Sequence, residues 1–233
     1  MNKKSITINN KMVDIYLSSK NDNLPVIVLN SYLRDGEKIY DECLKDNISD
    51  FVLVCISNLD WNNDLTPWKS FPLFKEDSEY LGNGDRYIKE LENIILPKIN
   101  EYLESINKKV SYYALAGYSL AGLFALYSGY NTNLFAKIIC VSPSFWYPNF
   151  LEYILENKIN NSVNKIYFSL GKKEKESKNK ILCKVGDNTK KIYEHLKNDI
   201  TVIYEENRGG HFNNSEERIV KGIKWVLDEI SRS

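Results

Sequence analysis

The segment from Tyr112 to Leu126 reads Tyr-Tyr-Ala-Leu-Ala-Gly-Tyr-Ser-Leu-Ala-Gly-Leu-Phe-Ala-Leu, and it sets one serine, Ser119, between two apolar runs. The run before Ser119 suits a buried strand, and the run after it suits a buried helix. The junction itself is flanked by small residues, Gly117, Ala121 and Gly122. A strand that passes into a helix within one residue needs such neighbours, because the two backbones come close there. The side chain at the turn is pushed outward at the end of a sheet, beside a helix N-terminus. The Leu120 N–H and the positive end of the helix dipole then face the atom that the hydroxyl would attack. The pattern is Gly-x-Ser-x-Ala-Gly. Gly-x-Ser alone is expected about once by chance in a chain of this length, so the apolar flanks carry the inference.

The rest of the chain supplies the layers such a turn requires. Residues 4–8 and 11–17 read as two strands joined by a polar Asn9-Asn10 turn, an N-terminal antiparallel hairpin. Residues 25–30 and 51–56 are continuous apolar runs, suited to strands buried on both faces, with a helical pattern at 37–45 between them. Further strands are expected at 110–115, 137–142, 165–170 and 200–204, and helices at 120–130, 188–197 and 216–230. Apolar residues recur at helical spacing over 84–106, where Pro97 predicts a kink. Residues 58–75, rich in aromatic residues, Asn, Asp and Pro, carry no period and read as a long surface loop. This alternation predicts a mostly parallel central sheet with helices on both faces, and a ligand site at the carboxyl ends of its strands.

With 233 residues, 43% of them hydrophobic, the chain suits one domain spanning 1–233. Lysine plus arginine and aspartate plus glutamate number 31 each, so no overall field favours nucleic acid or an anionic membrane. A small-molecule partner is expected. No apolar run approaches the roughly 18 residues that span a bilayer, and the first eight residues are not followed by a signal-peptide core, so a cytoplasmic location is expected. Cys43, Cys55, Cys140 and Cys183 are scattered without a C-x-x-C pair and read as buried free thiols, with no metal site. The cluster of charges at 172–180 reads as a solvated loop and helix start. Oligomeric state stays open, a homodimer being one option.

A serine hydroxyl is a weak nucleophile at neutral pH and needs a base, normally a histidine held by a carboxylate. Of the two histidines, His195 falls on the polar face of a helix pattern, whereas His211 follows Gly209-Gly210 in the turn after the last strand. His211 is therefore the candidate base. The chain order Ser, acid, His places the acid after the preceding strand, where Glu174 and Glu176 compete and Asp187 is a distant third. Glu174 is preferred because it is nearer the strand end. A second oxyanion donor, beside Leu120 N–H, is expected from the backbone of Ser31 or Tyr32.

Several segments in this order and spacing resemble the esterase family of α/β-hydrolases that includes siderophore (enterobactin and salmochelin) esterases and esterase-D-like proteins. They are Leu65-Thr-Pro-Trp68, Gly82-Asn-Gly-Asp-Arg-Tyr87, Leu96-Pro97, Gly117-Tyr-Ser-Leu-Ala-Gly122, Ser142-Pro-Ser-Phe-Trp146, Gly171-x-x-Glu174 and Gly210-His211, and the resemblance runs from about Pro25 to Leu227. It implies an α/β-hydrolase fold and a serine hydrolase that cleaves a carboxylic ester through an acyl-enzyme, without cofactor. Ser119, His211 and Glu174 occupy the matching catalytic positions. The Ser-Pro-Ser-x-Trp segment of the family lies near the catalytic site, so Trp146 is expected at the pocket, where Trp61 and Trp68 are further candidate walls. The chain departs from the family at Asn30-Ser31, where Asp-Gly is frequent, and at Asp60-Trp-Asn-Asn-Asp64, where an arginine is common. An acyltransferase using the same acyl-enzyme, or a non-catalytic binding protein on the same fold, are the alternative readings.

Overall fold

Successive residues of the central strands face opposite cores. Val26, Val28, Val52, Val54 and Ile56 pack into one apolar cluster, and Ile27, Leu29, Leu53 and Cys55 into a second. Such strands have no solvated face, which explains their continuous apolar sequence. The computed structural model, which describes residues 2–73 and 78–228, contains the strands β1 (Asn2–Ile8), β2 (Lys11–Leu17), β3 (Asn23–Asn30), β4 (Val52–Ser57), β5 (Lys109–Tyr118), β6 (Phe135–Val141), β7 (Lys165–Gly171) and β8 (Thr201–Asn207). They form one sheet in the order β1-β2-β4-β3-β5-β6-β7-β8. The β1–β2 and β2–β4 pairs are antiparallel and every other pair is parallel. This is an α/β-hydrolase fold with an antiparallel N-terminal hairpin.

The helices divide between the two faces. Helices α1 (Gly36–Lys45) and α8 (Ser215–Leu227) bury Ile39, Tyr40, Ile219, Ile223 and Val226 in the second cluster. Helices α3 (Gly84–Glu90), α4 (Leu96–Ser105), α5 (Leu120–Asn131), α6 (Phe150–Glu156) and α7 (Val185–Leu196) cover the first, and α2 (Trp61–Asp64) is a single turn. Helix α5 has buried residues on every side, which accounts for its wholly apolar sequence. Helix α8 lies tight against the sheet at Gly222, where a Cβ would stand 2.5 Å from Ile139 and 2.9 Å from Tyr167.

Several sequence expectations are corrected. The long pattern over 84–106 is not one kinked α-helix: a π-helical turn, Leu91–Ile95, joins α3 to α4 just before Pro97. Pro97 has no N–H to offer the carbonyl of Asn93, and a widened turn at that place removes the demand. The loop at 58–75 contains α2 and an isolated bridge between Ser70 and Tyr80. Its expected end at Lys75, like the expected helix end at Ile230, lies outside the described residues. Helix α6 has no counterpart in the sequence reading. All four cysteines are free, but Cys183 is only half-buried.

Candidate active site

Ser119 is the single residue between β5 and α5, with φ 60° and ψ −120°. A non-glycine residue there costs on the order of 1–3 kcal/mol and persists only when its surroundings hold it. The surroundings do so through the backbone. Ser119 N–H donates to Val141 O at 3.0 Å, and its carbonyl accepts from Gly122, Leu123 and Ser144 N–H at 3.0, 3.1 and 3.0 Å. Gly117 is required by the same crossing, because a Cβ would sit 2.2 Å from the carbonyl carbon of Ala121. The small residues of the motif are thus explained by contact distances rather than by flexibility.

The candidate base and acid arrive from the two neighbouring strand ends. Pairing of β7 with β8 continues to Gly171 opposite Asn207, so the loops that follow leave the sheet side by side. Lys172 N–H then donates to Asn207 O at 2.9 Å and Lys173 N–H to Gly209 O at 3.0 Å, which ties the acid loop to the histidine loop. Gly209 adopts φ +92° in the turn that presents His211. His211 Nε2 lies 3.2 Å from Ser119 Oγ, and His211 Nδ1 lies 2.8 Å from Glu174 Oε2. The imidazole packs against the Tyr118 ring, with centroids 5.2 Å apart. Glu176 and His195 are exposed and take no part, and Asp187 is also exposed, on α7.

Glu174 is buried and held by donors. Its Oε1 accepts from Ser142 Oγ at 2.6 Å and from Gly171 N–H at 2.7 Å. Burial pushes the Glu174 carboxyl up, but hydrogen bonds from His211 and Ser142, the charge on His211 and the Gly171 N–H outweigh burial and hold it below the ordinary value. The Arg218 guanidinium, itself 1% exposed, stands 3.5 Å from Oε1 and donates to Ser142 Oγ at 2.9 Å. Sequence reasoning did not find Ser142 or Arg218 as site residues. The available signal was an arginine inside the apolar stripe of α8, at one face with Ile219, Gly222, Ile223 and Val226. Ser144, likewise missed, places its Oγ 3.2 Å from Ser119 Oγ.

Leu120 N–H begins α5 and has no acceptor among the described residues. The Ser31 N–H is committed to Ile56 O at 2.8 Å, extending the β3–β4 pairing by one residue, whereas Tyr32 N–H has no such partner. Two cavities meet at Ser119 and His211. One, of about 480 Å³, is lined by Pro143, Trp146, Leu182 and Val185 with Lys173 at its side. The other, of about 910 Å³, is lined by Asn30, Tyr32, Asp35, Asp60 and Trp61. Trp146 and Trp61 border these cavities, and Trp61 packs edge-on against Tyr32. Trp68 does not. Its indole N–H is spent on Pro148 O at 3.0 Å and its ring packs among Tyr127, Tyr147, Phe150 and Tyr153. Among the described residues no group of three or more His, Cys, Asp or Glu could hold a metal ion, and no helix is long and apolar enough to cross a membrane.

The family model described as "Putative esterase" matches residues 5–221. The chain belongs to this esterase family. Being an esterase, it is a carboxylic ester hydrolase. The esterase is 23% identical over 175 residues to protein YbbA of Bacillus subtilis, covering 71% of this chain and 70% of that one. Among solved structures, an IroE-like serine hydrolase from Shewanella oneidensis superposes with a TM-score of 0.76 at 16% identity, covering 97% of this esterase and 79% of that chain. The siderophore hydrolase EstB from Aspergillus nidulans gives 0.74 at 16% identity, with 96% and 93% covered. At these identities the superpositions speak for the fold.

Proposed function

We propose that the esterase cleaves a small-molecule carboxylic ester through an acyl-enzyme formed on Ser119, with His211 as general base and Glu174 as the acid that orients it. One observation carries this reading: the unbroken path from Ser119 Oγ through the imidazole to the buried Glu174, at 3.2 and 2.8 Å. Ser119 Oγ attacks the ester carbonyl carbon while its proton passes to His211 Nε2. The resulting oxyanion is held by the N–H groups of Leu120 and Tyr32. The bond from carbon to the alcohol oxygen then breaks, and His211 returns the proton to the departing alcohol. Water repeats the sequence on the acyl-enzyme and frees the acid and Ser119.

The larger cavity brings Asp35 and Asp60 toward the site and has no lysine or arginine among its described lining residues. A neutral or cationic ester suits it better than an anionic catecholate, so the siderophore substrates of the structural relatives are not adopted for this esterase. Two cavities meeting at one hydroxyl also leave room for an acceptor alcohol in place of water at the second step. Product analysis with and without added alcohol separates hydrolysis from acyl transfer. A fluorophosphonate probe and a series of p-nitrophenyl esters test the main reading. Wild type is expected to be labelled and to turn over, and Ser119→Ala to lose both by about a thousandfold or more. Absence of wild-type labelling, or equal turnover by the variant, would sink the proposal.

A further inference from the structure

Arg218 is the largest fully buried side chain that is also charged, and stability does not explain it. Burying a guanidinium carries a large desolvation cost, and apolar replacements of buried ion pairs are often neutral or stabilising. The guanidinium hydrogen bonds of Arg218 go to the parts that carry the acid and the base, while its Nε is buried without a partner among the described residues. Its Nη1 donates to Ser142 Oγ at 2.9 Å, and its Nη2 donates to Arg208 O and Gly210 O, each at 3.2 Å, in the turn that presents His211. Ser142 is itself held in an unfavourable backbone state at φ 43°, with its N–H bound to Ser169 O at 2.7 Å.

The directions of these bonds follow from the groups. A guanidinium has donors only, so Ser142 Oγ must accept from Arg218. A hydroxyl has one hydrogen, which then points to Glu174 Oε1 at 2.6 Å. Gly171 N–H fills the other site on that oxygen. Oε1 thus has no room for a proton of its own. With the carboxylate ionised, Oε2 accepts from Nδ1–H, which leaves Nε2 with a lone pair facing the Ser119 hydroxyl. The opposite arrangement would put the hydrogen on Nε2, where it cannot take a proton from serine.

We infer that Arg218 and Ser142 are positioning residues that fix the tautomer of His211 through Glu174, and that Arg218 also pins the His211 turn; this rests on the triad proposed above. The titratable and charged groups that face Glu174 are His211, Arg218 and the phenols of Tyr118 and Tyr204, with Lys173 beside the same cavity. Of these, Arg218 alone is a charged donor buried with the carboxylate.

Ser142→Ala is the decisive variant, because it removes one hydroxyl at a position where alanine is no more strained than serine. Without that donor the carboxylate is held less firmly in its ionised state, and His211 spends part of its time in the tautomer that cannot take the serine proton. The rate of fluorophosphonate labelling reads this directly, and p-nitrophenyl acetate gives kcat and KM. Expected are a loss of about ten- to a hundredfold in kcat, out of the roughly 10²–10⁴-fold that acid–base catalysis supplies, with KM unchanged. Arg218→Met should slow labelling and turnover further, and Arg218→Lys should restore part of the loss. Wild-type labelling rate and kcat in Ser142→Ala overturn the inference, even if the arginine variants fail to fold. Absence of labelling in wild type would overturn the triad instead, so the two failures are distinct.

Discussion

At the scale of single residues, the site turns on which of two nearby glutamates is buried. Glu174 begins a short 3₁₀ turn directly after β7 and points under His211, and Glu176, two residues on, points to solvent. Glu174→Gln keeps the volume but removes the charge that, in the proposed mechanism, stabilises the imidazolium. We expect kcat to fall by about 10²–10⁴-fold, as when a triad acid is neutralised, while Glu176→Gln stays within about twofold of wild type. Steady-state rates on one p-nitrophenyl ester decide it, and comparable losses in the two variants would refute the assignment. Chain order and nearness to a strand end made Ser119, His211 and Glu174 legible in the sequence. Ser142 and Arg218 were not, since their partners lie 32 and 44 positions away from them at Glu174 and no local pattern announces a contact across that separation. That Trp68 packs among aromatic rings and lines neither cavity at Ser119 is hidden for a related reason, since an aromatic residue in a loop reads the same whether it faces a cavity or a core.

At the scale of elements, strands and helices were legible because burial writes a period into sequence, and the aperiodic stretch after β4 was not. One buried carboxylate helps to order it. Asp64, at the end of α2 and 2% exposed, bonds to Lys11 of β2 at 3.2 Å and to Arg86 of α3 at 3.3 Å, and also accepts from Asp60 N–H at 3.2 Å. That one side chain ties the turn bearing Trp61 to two distant elements. Breaking a buried pair typically costs about 3–5 kcal/mol, but here Lys11 keeps Glu90 at 3.0 Å and Arg86 is exposed, which places this case toward and below the lower end. Asp64→Ala should therefore lower unfolding free energy by about 2–4 kcal/mol in urea. The same variant should raise KM more than it lowers kcat, because Trp61 borders the larger cavity and lies away from the hydrogen-bonded triad. An unchanged denaturation midpoint would show that the turn is held by other contacts.

At the scale of the whole molecule, balanced charge hides an uneven distribution around Ser119. The 31 cationic and 31 acidic side chains cancel, so no long-range field selects a ligand. Close to Ser119 the balance fails: the larger cavity has Asp35 and Asp60, and the smaller apolar one has Lys173. Two charges about 4 Å apart interact by about 1 kcal/mol in water and more where the dielectric falls, so one ligand charge changes binding by roughly fivefold or more. A matched series of esters differing only in an ammonium, neutral or carboxylate group on the alcohol should rank in that order of kcat/KM at low salt. The spread should narrow as added salt shortens the screening length toward the separation of the charges. Replacing both Asp35 and Asp60 with Asn should collapse the ranking while leaving the neutral ester within about twofold, because neither carboxylate touches His211 or Glu174. If the carboxylate ester is the fastest substrate, the larger cavity is not where the alcohol group lies, and the orientation of the ester across Ser119 must be reversed.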